Sequence, residues 1–241
     1  MGAFEQTWNQ VYGLDQDPIR EHVIFPALFR LNRSFRGKSV LDVGCGNGCL
    51  AHKLADKHLK ELVGIDRNQA FLSFAASHLK ARNVHFKRLD VRKRFPFKSR
   101  RFDLAYCVFA LDEIDRPKKT VAETFRVLKR GGKCFIVLLH PVYALSLYLY
   151  EKHTGKRNPK LQPVKGYFKP FKADYVLSIA GKKAPYFHRP VADYVGLLLD
   201  AGFRLTSFLE LTANASAVKR FPRYKDLRDV PKFLLLEATK P

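Results

Sequence analysis

The sequence of 241 residues is poor in the residue types that bind metals or cross-link a chain. It has only four cysteines and eight histidines. The cysteines are Cys45, Cys49, Cys107 and Cys134, and no two of them form a C-x-x-C pair. The histidines are scattered without the spacing of metal ligands. The sequence therefore predicts buried, reduced thiols, with neither a disulfide framework nor a metal site.

Long apolar runs are also missing. A membrane-spanning helix needs roughly 18 consecutive apolar residues without charges, and the richest run here, at residues 142–150, is much shorter. Residues 1–10 contain Glu5 and Trp8 and lack the basic-then-apolar pattern of a signal peptide. We therefore expect a cytoplasmic protein that has no membrane partner.

Acidic residues are scarce, since 22 Asp and Glu oppose 44 Lys and Arg and leave a formal net charge of +22. A chain this basic should attract polyanions such as nucleic acids. Its densest cluster, here called the basic loop, covers residues 87–101, where Asp90 is the only acid. A solvated loop explains this cluster more simply than a dedicated nucleic-acid site, and both interpretations stay open.

What the sequence has is an alternation of strand-like and helix-like runs from Lys38 onward, which predicts an α/β fold with a mostly parallel sheet and helices on both faces. Strands are predicted at 40–43, 61–65, 84–89, 102–108, 133–139, 203–211 and 233–239. Helices are predicted at 4–12, 23–35, 47–57, 68–81, 118–128 and 190–201. Asn68 is the expected N-cap of its helix, and Gly131-Gly132 is the expected stop of the helix before the fifth strand. Residues 151–185 show no periodicity and are interpreted as an insertion on the ligand-facing edge of the sheet.

The most informative motif is V-L-D-V-G-C-G-N-G at residues 40–48. A short strand enters Asp42, and three glycines follow at every second position, which allows a tight strand-to-helix turn and brings a ligand against bare main chain. The dinucleotide fingerprint G-x-G-x-x-G would need a small residue at position 49, where this chain has Cys49. The loop therefore indicates a nucleotide-like ligand other than a typical dinucleotide.

Two further carboxylates end predicted strands, where ligands bind in open α/β sheets. Asp66 lies twenty positions after Gly46 and can accept hydrogen bonds from both hydroxyls of a ribose, which suits any adenosine cofactor. The alternative is that this carboxylate only stabilises the N-terminus of a helix. Asp90 is placed to accept from an adenine amino group, or else to pair with the neighbouring arginines.

The G-x-G-x-G loop after an acidic residue, together with R-V-L-K-R-G-G at residues 126–132, resembles the motifs of class I S-adenosylmethionine-dependent methyltransferases, in particular the small-molecule branch of types 11 and 25. Arg130 stands where the family usually has proline. The resemblance implies a Rossmann-like, seven-stranded, mostly parallel sheet with an antiparallel last strand. It also implies S-adenosylmethionine as the cofactor.

The same resemblance assigns the cofactor-binding residues. Loop residues would contact the methionyl part, with main chain around Cys107 to Phe109 completing that pocket, while the end of the second strand would contact the ribose and the end of the third the adenine. These residues are Asp42, Gly44, Cys45, Gly46, Asn47, Asp66, Arg67, Asp90, Val91 and Cys107. Tyr12, with Trp8, resembles the aromatic lid that often covers the cofactor, although core packing explains both equally well.

Catalytic candidates are fewer, because methyl transfer needs a general base only when the acceptor must lose a proton early. His140 follows the fifth strand. His188 and Arg189 lie in Y-F-H-R-P, which resembles a Y-H-R-P stretch of small-molecule methyltransferases. His188 could be a base and Arg189 an anchor for an anionic acceptor. The alternative is that both hold the insertion to the sheet.

The sequence thus predicts one methyltransferase domain over residues 1–241. Residues 1–36 would form a helical lid, 37–140 the cofactor-binding core, 141–190 an acceptor lid, and 191–241 a final helix and strand pair. The expected activity is transfer of a methyl group from S-adenosylmethionine to an O, N or C atom of a small molecule. Two alternatives remain, namely methylation of RNA or DNA, and a non-catalytic subunit that binds the cofactor and partners another protein. Neither N-P-P-Y nor D-P-P-Y follows the fourth strand, which disfavours methylation of a base amino group.

Overall fold

A seven-stranded sheet forms the centre of the structure, a computed structural model that describes residues 14, 17–32, 34–154, 165–176, 183–212, 218–219, 222, 225 and 230–241. The strands are β1 (Ser39–Val43), β2 (Glu61–Asp66), β3 (Val84–Arg88), β4 (Phe102–Val108), β5 (Leu128–Leu139), β6 (Phe171–Val176), β7 (Lys183–His188), β8 (Arg204–Leu211) and β9 (Phe233–Thr239). The order across the large sheet is β3-β2-β1-β4-β5-β9-β8, while β6 and β7 pair only with each other.

The strand directions match the predicted fold class. Strands β1 to β5 pair in parallel. The last strand, β9, runs antiparallel to both of its neighbours, β5 and β8. The prediction of a mostly parallel, seven-stranded, Rossmann-like sheet with an antiparallel last strand is therefore confirmed.

Helices cover both faces of this sheet, because its inner strands are apolar on both sides. The helices are α1 (Phe25–Leu31), α2 (Cys49–Leu54), α3 (Gln69–His78), α4 (Lys118–Val127), α5 (Pro141–Thr154) and α6 (Val191–Asp200), with a π-helical turn at Arg20–Ile24 and a 3₁₀ turn at Leu111–Glu113. Val40 belongs to a core that includes residues of α1 and α2. Its neighbour Leu41 belongs to a second core with residues of α4 and α6. Successive strand residues thus point to opposite cores.

The predicted starts of helices α3 and α2 have different outcomes. Asn68 caps α3 as predicted, since its Oδ1 accepts hydrogen bonds from the main-chain N–H groups of Ala70 and Phe71 at 3.0 and 3.3 Å. The helix predicted at residues 47–57 is shorter and spans Cys49–Leu54. Gly48 is left-handed with φ of 82°, so the helix cannot begin before it.

The predicted stop at Gly131-Gly132 is wrong. Helix α4 ends at Val127, and β5 begins at the next residue. The glycine pair instead lies in an irregular part of β5, where the pairing with β4 shifts between Leu128 and Lys133. Gly131 donates its N–H to the carbonyl of Lys240 at 2.8 Å. The glycines therefore serve a bulge at the start of β5 rather than a helix end.

The segment without periodicity contains regular structure that the sequence pattern did not reveal. Helix α5 follows β5, and β6 and β7 form an antiparallel hairpin in which Phe171 pairs with His188. Strand β7 packs against the 3₁₀ turn Leu111–Glu113, which follows β4. The hairpin therefore stands at the carboxyl ends of the parallel strands.

Other predictions have mixed outcomes. The four cysteines are buried free thiols, as expected. Of the two N-terminal helices, the one predicted at 23–35 is observed as the helical stretch from Arg20 to Leu31, whereas the one at 4–12 lies outside the described residues. In the part of the chain that the structure describes, no helix is long and apolar enough to cross a membrane.

Candidate functional site

A cleft of about 270 Å³ opens at the carboxyl ends of β1, β2, β3 and β4. This is the edge where open parallel sheets bind their ligands. The lining residues come from the glycine loop, from the ends of β2 and β3, from the segment after β4 and from the hairpin. They are Gly44, Asp66, Arg67, Leu89, Asp90, Val91, Arg92, Ala110, Glu113, Ile114, Asp115, Lys172, Pro185 and Phe187.

The glycine loop forms the floor of the cleft beside β1. Gly44 has φ of 72°, and a Cβ at this position would lie 2.4 Å from the Cβ of Ala110. Only glycine therefore fits where the loop passes the segment after β4. Gly46 is also left-handed, but among the described residues no heavy atom other than those of its chain neighbours lies within 4 Å of the place its Cβ would take. The loop thus leaves bare main chain with open space beside it, which a bound ligand requires.

Asp66 joins this loop to the end of β2. Its Oδ2 accepts from the N–H of Gly46 at 2.9 Å, and its Oδ1 accepts from the N–H of Asn68 at 2.8 Å. A carboxylate has about four acceptor positions, so each oxygen retains capacity for another donor. The same side chain that fixes the loop can therefore also receive hydroxyl groups of a ligand.

Asp90 lies in an ion pair. Its two oxygens accept from Nε and Nη2 of Arg92 at 2.9 and 2.8 Å. These hydrogen bonds from Arg92 lower the pKa of Asp90 to about 2. The alternative of a charge partner thus describes the contacts in this structure, while Asp90 also lines the cleft.

Some of the predicted cofactor residues line the cleft and others do not. Gly44, Asp66, Arg67, Asp90 and Val91 line the cleft. Asp42, Cys45, Asn47 and Cys107 are buried beneath or beside it, and Gly46 is not among the lining residues. Tyr12 and Trp8 lie outside the described residues.

His140 is buried away from the cleft lining. Its Nε2 lies 3.0 Å from Oε1 of Glu210, and its Nδ1 accepts from the N–H of Val142 at 3.3 Å. Burial lowers the pKa of His140, which favours the neutral ring. Both nitrogens have partners, Glu210 on β8 and Val142 at the start of α5, and His140 does not line the cleft.

His188 and Arg189 connect the hairpin to the rest of the molecule. The Nε2 of His188 lies 2.8 Å from the carbonyl of Tyr167, and its ring stacks on Phe171. Arg189 donates from Nη2 to the carbonyls of Ile114 and Asp115 at 2.7 and 2.6 Å. These are the contacts of the alternative interpretation, in which both residues hold the insertion in place.

The structure adds cleft residues that sequence reasoning missed. Glu113 follows β4 in the 3₁₀ turn, and Lys172, Pro185 and Phe187 come from the hairpin. The string L-D-E-I at 111–114 was available as a signal because it begins three residues after the end of a predicted strand. The hairpin residues carried no signal, since only folding of the segment brings them to the sheet edge.

The charges around the cleft contrast with those of the whole chain. Four carboxylates line it, from Asp66, Asp90, Glu113 and Asp115, beside three basic side chains, from Arg67, Arg92 and Lys172, so the cleft does not share the strong positive charge of the chain, which is +22. Asp42 and Asp112 lie buried close by. The glycine loop and the carboxylate at the end of β2 are the features with which a Rossmann-like domain binds a nucleoside cofactor.

Comparisons with known proteins identify the domain. Residues 41–136 match the profile of the family described as "Methyltransferase domain", type 11. An S-adenosylmethionine-dependent methyltransferase from Mesorhizobium loti superposes with a TM-score of 0.79 at 22% identity, over 95% of this chain and 100% of that one. A proposed S-adenosylmethionine-dependent methyltransferase from Listeria monocytogenes gives 0.78 at 25% identity, over 90% and 96%.

Among curated proteins, a ubiquinone biosynthesis O-methyltransferase from Coxiella burnetii is 29% identical over 117 residues. This alignment covers 48% of this chain and 49% of the relative, so the chain spans about half the length of the curated relatives it matches. Residues 41–136 thus match a methyltransferase domain, the chain has the fold of class I S-adenosylmethionine-dependent methyltransferases, and S-adenosylmethionine is the cofactor of that domain.

Proposed function

We propose that the whole protein transfers the methyl group of S-adenosylmethionine to an oxygen atom of a small molecule. The observation that carries this proposal is the cleft itself, in which the cofactor edge of the sheet faces a hairpin wall of Lys172, Pro185 and Phe187. Such a wall encloses a small acceptor beside the cofactor. The choice of oxygen is supported by the curated relatives, which are named O-methyltransferases.

The residues of the cleft fit the cofactor. In this proposal Asp66 binds the ribose hydroxyls, the main chain at Gly44 and Gly46 contacts the methionyl part, and Val91 lies against the adenine. Four carboxylates against three basic side chains leave the cleft without the strong positive charge of the whole chain, which suits the net positive charge of the cofactor. Asp42, beneath the loop, adds a group whose ionisation responds to that charge.

When bound, the cofactor supplies a methyl group on a sulfonium. The chain then has to hold the acceptor in line with that methyl group and to exclude water, and orientation of this kind contributes several kcal/mol to catalysis. The hairpin is suited to this task, because Arg189 and His188 fix it to the segment after β4 and to its own approach loop.

The nucleoside assignment is tested with Asp66→Ala and isothermal calorimetry of S-adenosylmethionine binding. Loss of a carboxylate that accepts charge-assisted hydrogen bonds costs about 3 kcal/mol, which is roughly a 100-fold rise in Kd. Asp200→Ala is the control, because Asp200 is exposed at the end of α6. Unchanged affinity in Asp66→Ala would overturn the assignment.

The acceptor class is tested by incubating the protein with labelled S-adenosylmethionine and a fractionated metabolite extract, with purified RNA in parallel. Label in small-molecule fractions supports the proposal. Label in RNA alone favours the nucleic-acid alternative, and no label in any fraction favours the non-catalytic binding subunit.

A further inference from the structure

Basic residues collect at the end of the molecule opposite the cleft. The cleft lies at the carboxyl ends of the parallel strands, whereas these residues lie in the segments at the amino ends of β1 to β5. This surface, here called the amino-end patch, consists of residues 36–38, 56–60, 80–83, 100–101 and 129–131. Seven exposed cations lie on it, namely Arg36, Lys57, Lys60, Lys80, Arg82, Arg100 and Arg130.

Hydrogen bonds join the first three segments of the amino-end patch. The N–H of Gly37 donates to the carbonyl of His58 at 2.9 Å, which ties the segment before β1 to the segment before β2. The side-chain amide of Asn83 donates to the carbonyl of Leu59 at 2.9 Å, which ties the segment before β3 to the same place. The cations of these three segments therefore lie on one surface.

Further contacts extend the patch toward β4 and β5. The N–H of Ser39, at the start of β1, donates to Oδ2 of Asp103 on β4 at 2.9 Å. Asp103 in turn pairs with Lys129 at the start of β5, at 2.9 Å. Because the sheet order is β3-β2-β1-β4-β5, the amino-end patch runs across five neighbouring strands.

The positive charge of the patch is not neutralised within the described residues. None of its seven exposed cations takes part in an ion pair there. Of the acidic side chains in or directly beside the patch, Glu61 is already paired with Arg101. Asp103 is paired with Lys129. Asp56 is the one exposed acid that remains in the patch.

Lys240 reports the same excess of positive charge. Its N–H donates to the carbonyl of Gly132 at 2.9 Å, which places it beside the last segment of the patch. Burial lowers the pKa of Lys240, and the charges of Arg100, Arg126 and Arg130 act in the same direction. Cations that repel one another in this way are stabilised when an anion is added beside them.

The length of the patch fits a row of phosphates. Neighbouring strands lie about 4.8 Å apart, so a patch across five strands is about 19 Å long. A nucleic acid duplex carries one phosphate charge for about every 1.7 Å of its axis, which gives about 11 charges over that length. Three of the seven exposed cations are arginines, whose guanidinium groups bind phosphate oxygens in pairs.

The patch suits a nucleic acid better than a lipid surface. Segments that bind at a membrane interface place apolar side chains among the acyl chains beside their cations. The large apolar side chains that are exposed among the described residues are Phe168, Leu199 and Phe208, and none of them belongs to the patch. The amino-end patch therefore offers charge alone, which is what contacts to a phosphate backbone require.

We infer that the amino-end patch docks on the phosphodiester backbone of a nucleic acid duplex without reading its sequence, while the cleft at the opposite end stays open to the cofactor and to a small acceptor. The nucleic acid is a docking partner here and not the methyl acceptor. The inference therefore goes beyond the proposed function and does not depend on it.

The test is fluorescence anisotropy of a labelled DNA duplex, and of the RNA duplex of the same sequence, titrated with the full chain between about 50 and 200 mM salt. The patch variant combines Lys57→Gln, Lys60→Gln and Lys80→Gln. Because each phosphate contact contributes about 0.9 to the slope of log K against log salt concentration, this variant should lower the magnitude of the slope by up to about 3.

The control variant removes the same number of charges at the cleft end. It combines Lys165→Gln, Lys169→Gln and Lys172→Gln, three exposed lysines on and just before the hairpin. Its slope should change by less than about 1, the value of a single phosphate contact. Unchanged circular dichroism spectra show that both variants are folded.

The outcomes decide between docking at the patch and other kinds of binding. Equal losses of slope in the two variants, or an unchanged slope in the patch variant, would contradict the inference. Competition between the duplex and S-adenosylmethionine in calorimetry would place the nucleic acid in the cleft and overturn it as well. Binding to vesicles that contain phosphatidylglycerol, without binding to either duplex, would identify a lipid surface instead. Methyl transfer is not measured, so failure of the proposed function leaves these results unaffected.

Discussion

At the scale of single residues, Asp42 shows how burial sets the charge of the site. Its side chain is 2% exposed beneath the glycine loop. Burial, together with the neighbouring charge of Asp66, raises the pKa of Asp42 to about 7, although Arg20 acts in the opposite direction. The carboxyl group therefore holds its proton in the folded chain at pH values where it is ionised in the unfolded chain.

This difference makes stability depend on pH in a defined direction. Because the folded state binds the extra proton, the contribution of Asp42 is complete below about pH 4 and is lost as the pH rises through about 7. The full effect is at most about 4 kcal/mol, from about 1.4 kcal/mol for each pKa unit. Asp42→Asn, which cannot ionise, should therefore gain free energy of unfolding relative to the unmodified protein at pH 8 compared with pH 5. Urea denaturation at both pH values measures this.

The control for this pH effect is Asp200→Asn, which removes an exposed carboxyl group. Its stability should follow the unmodified protein at both pH values. Parallel pH profiles for the unmodified protein and Asp42→Asn would show that the buried acid does not hold its proton.

At the scale of elements, helix α4 is ended by a distant side chain rather than by its own sequence. The Nζ of Lys240 donates to the carbonyls of Phe125 and Leu128 at 2.6 and 2.8 Å and lies 4.5 Å from the ring centre of Phe125. A cation at this place satisfies orphan carbonyls and suits the negative end of the helix dipole. The last residues of the chain thus fix the junction between α4 and β5.

Lys240→Met should lower the free energy of unfolding by about 2 kcal/mol, because buried carbonyls lose a charged donor while the apolar stem is retained. Lys119→Met is the matched control at the other end of α4. There a cation opposes the helix dipole, so its removal should leave stability unchanged or slightly higher. Chemical denaturation compares the two, and equal small effects would contradict the capping role.

At the scale of the whole molecule, most of the positive charge lies outside the cleft. Four carboxylates line the cleft at the carboxyl ends of the strands, beside Arg67, Arg92 and Lys172. Burial lowers the pKa of Lys240, and the positive charges of three nearby arginines, Arg100, Arg126 and Arg130, lower it further. Parts of the basic loop are neutralised, since Arg92 pairs with Asp90 and Arg101 with Glu61. The positive charge therefore favours general attraction of polyanions over a specific acceptor site.

We accordingly expect RNA to bind weakly, with log K falling linearly with log salt concentration. Changing Arg94 and Lys98, both exposed in the basic loop, to Gln should lower the magnitude of that slope by up to about 2 without affecting S-adenosylmethionine affinity. Filter binding over a salt series measures the slope. Tight binding at physiological salt that is coupled to methyl transfer would contradict this expectation and favour a nucleic-acid acceptor.

Local and periodic signals predicted much of the fold and the cofactor side of the site. Asn68 caps its helix with its own side chain, and Gly44 must be glycine where the loop passes Ala110. The roles of both residues could therefore be predicted from the sequence. The helix stop at Gly131 was misread because its true partner, Lys240, is more than a hundred residues away. The hairpin was missed because its alternation is short and interrupted by Pro and Gly.

By itself, the sequence determined the sheet, the glycine loop and the carboxylate of Asp66, because strand alternation, left-handed glycines and strand ends depend on neighbours along the chain. Only the tertiary structure decided what faces the cofactor. It placed His140, His188 and Arg189 in supporting contacts and brought Glu113, Lys172 and Phe187 to the lining of one cleft. That outcome depends on how a hairpin packs on the segment after β4, and contacts between such distant segments leave no periodic trace in a single sequence.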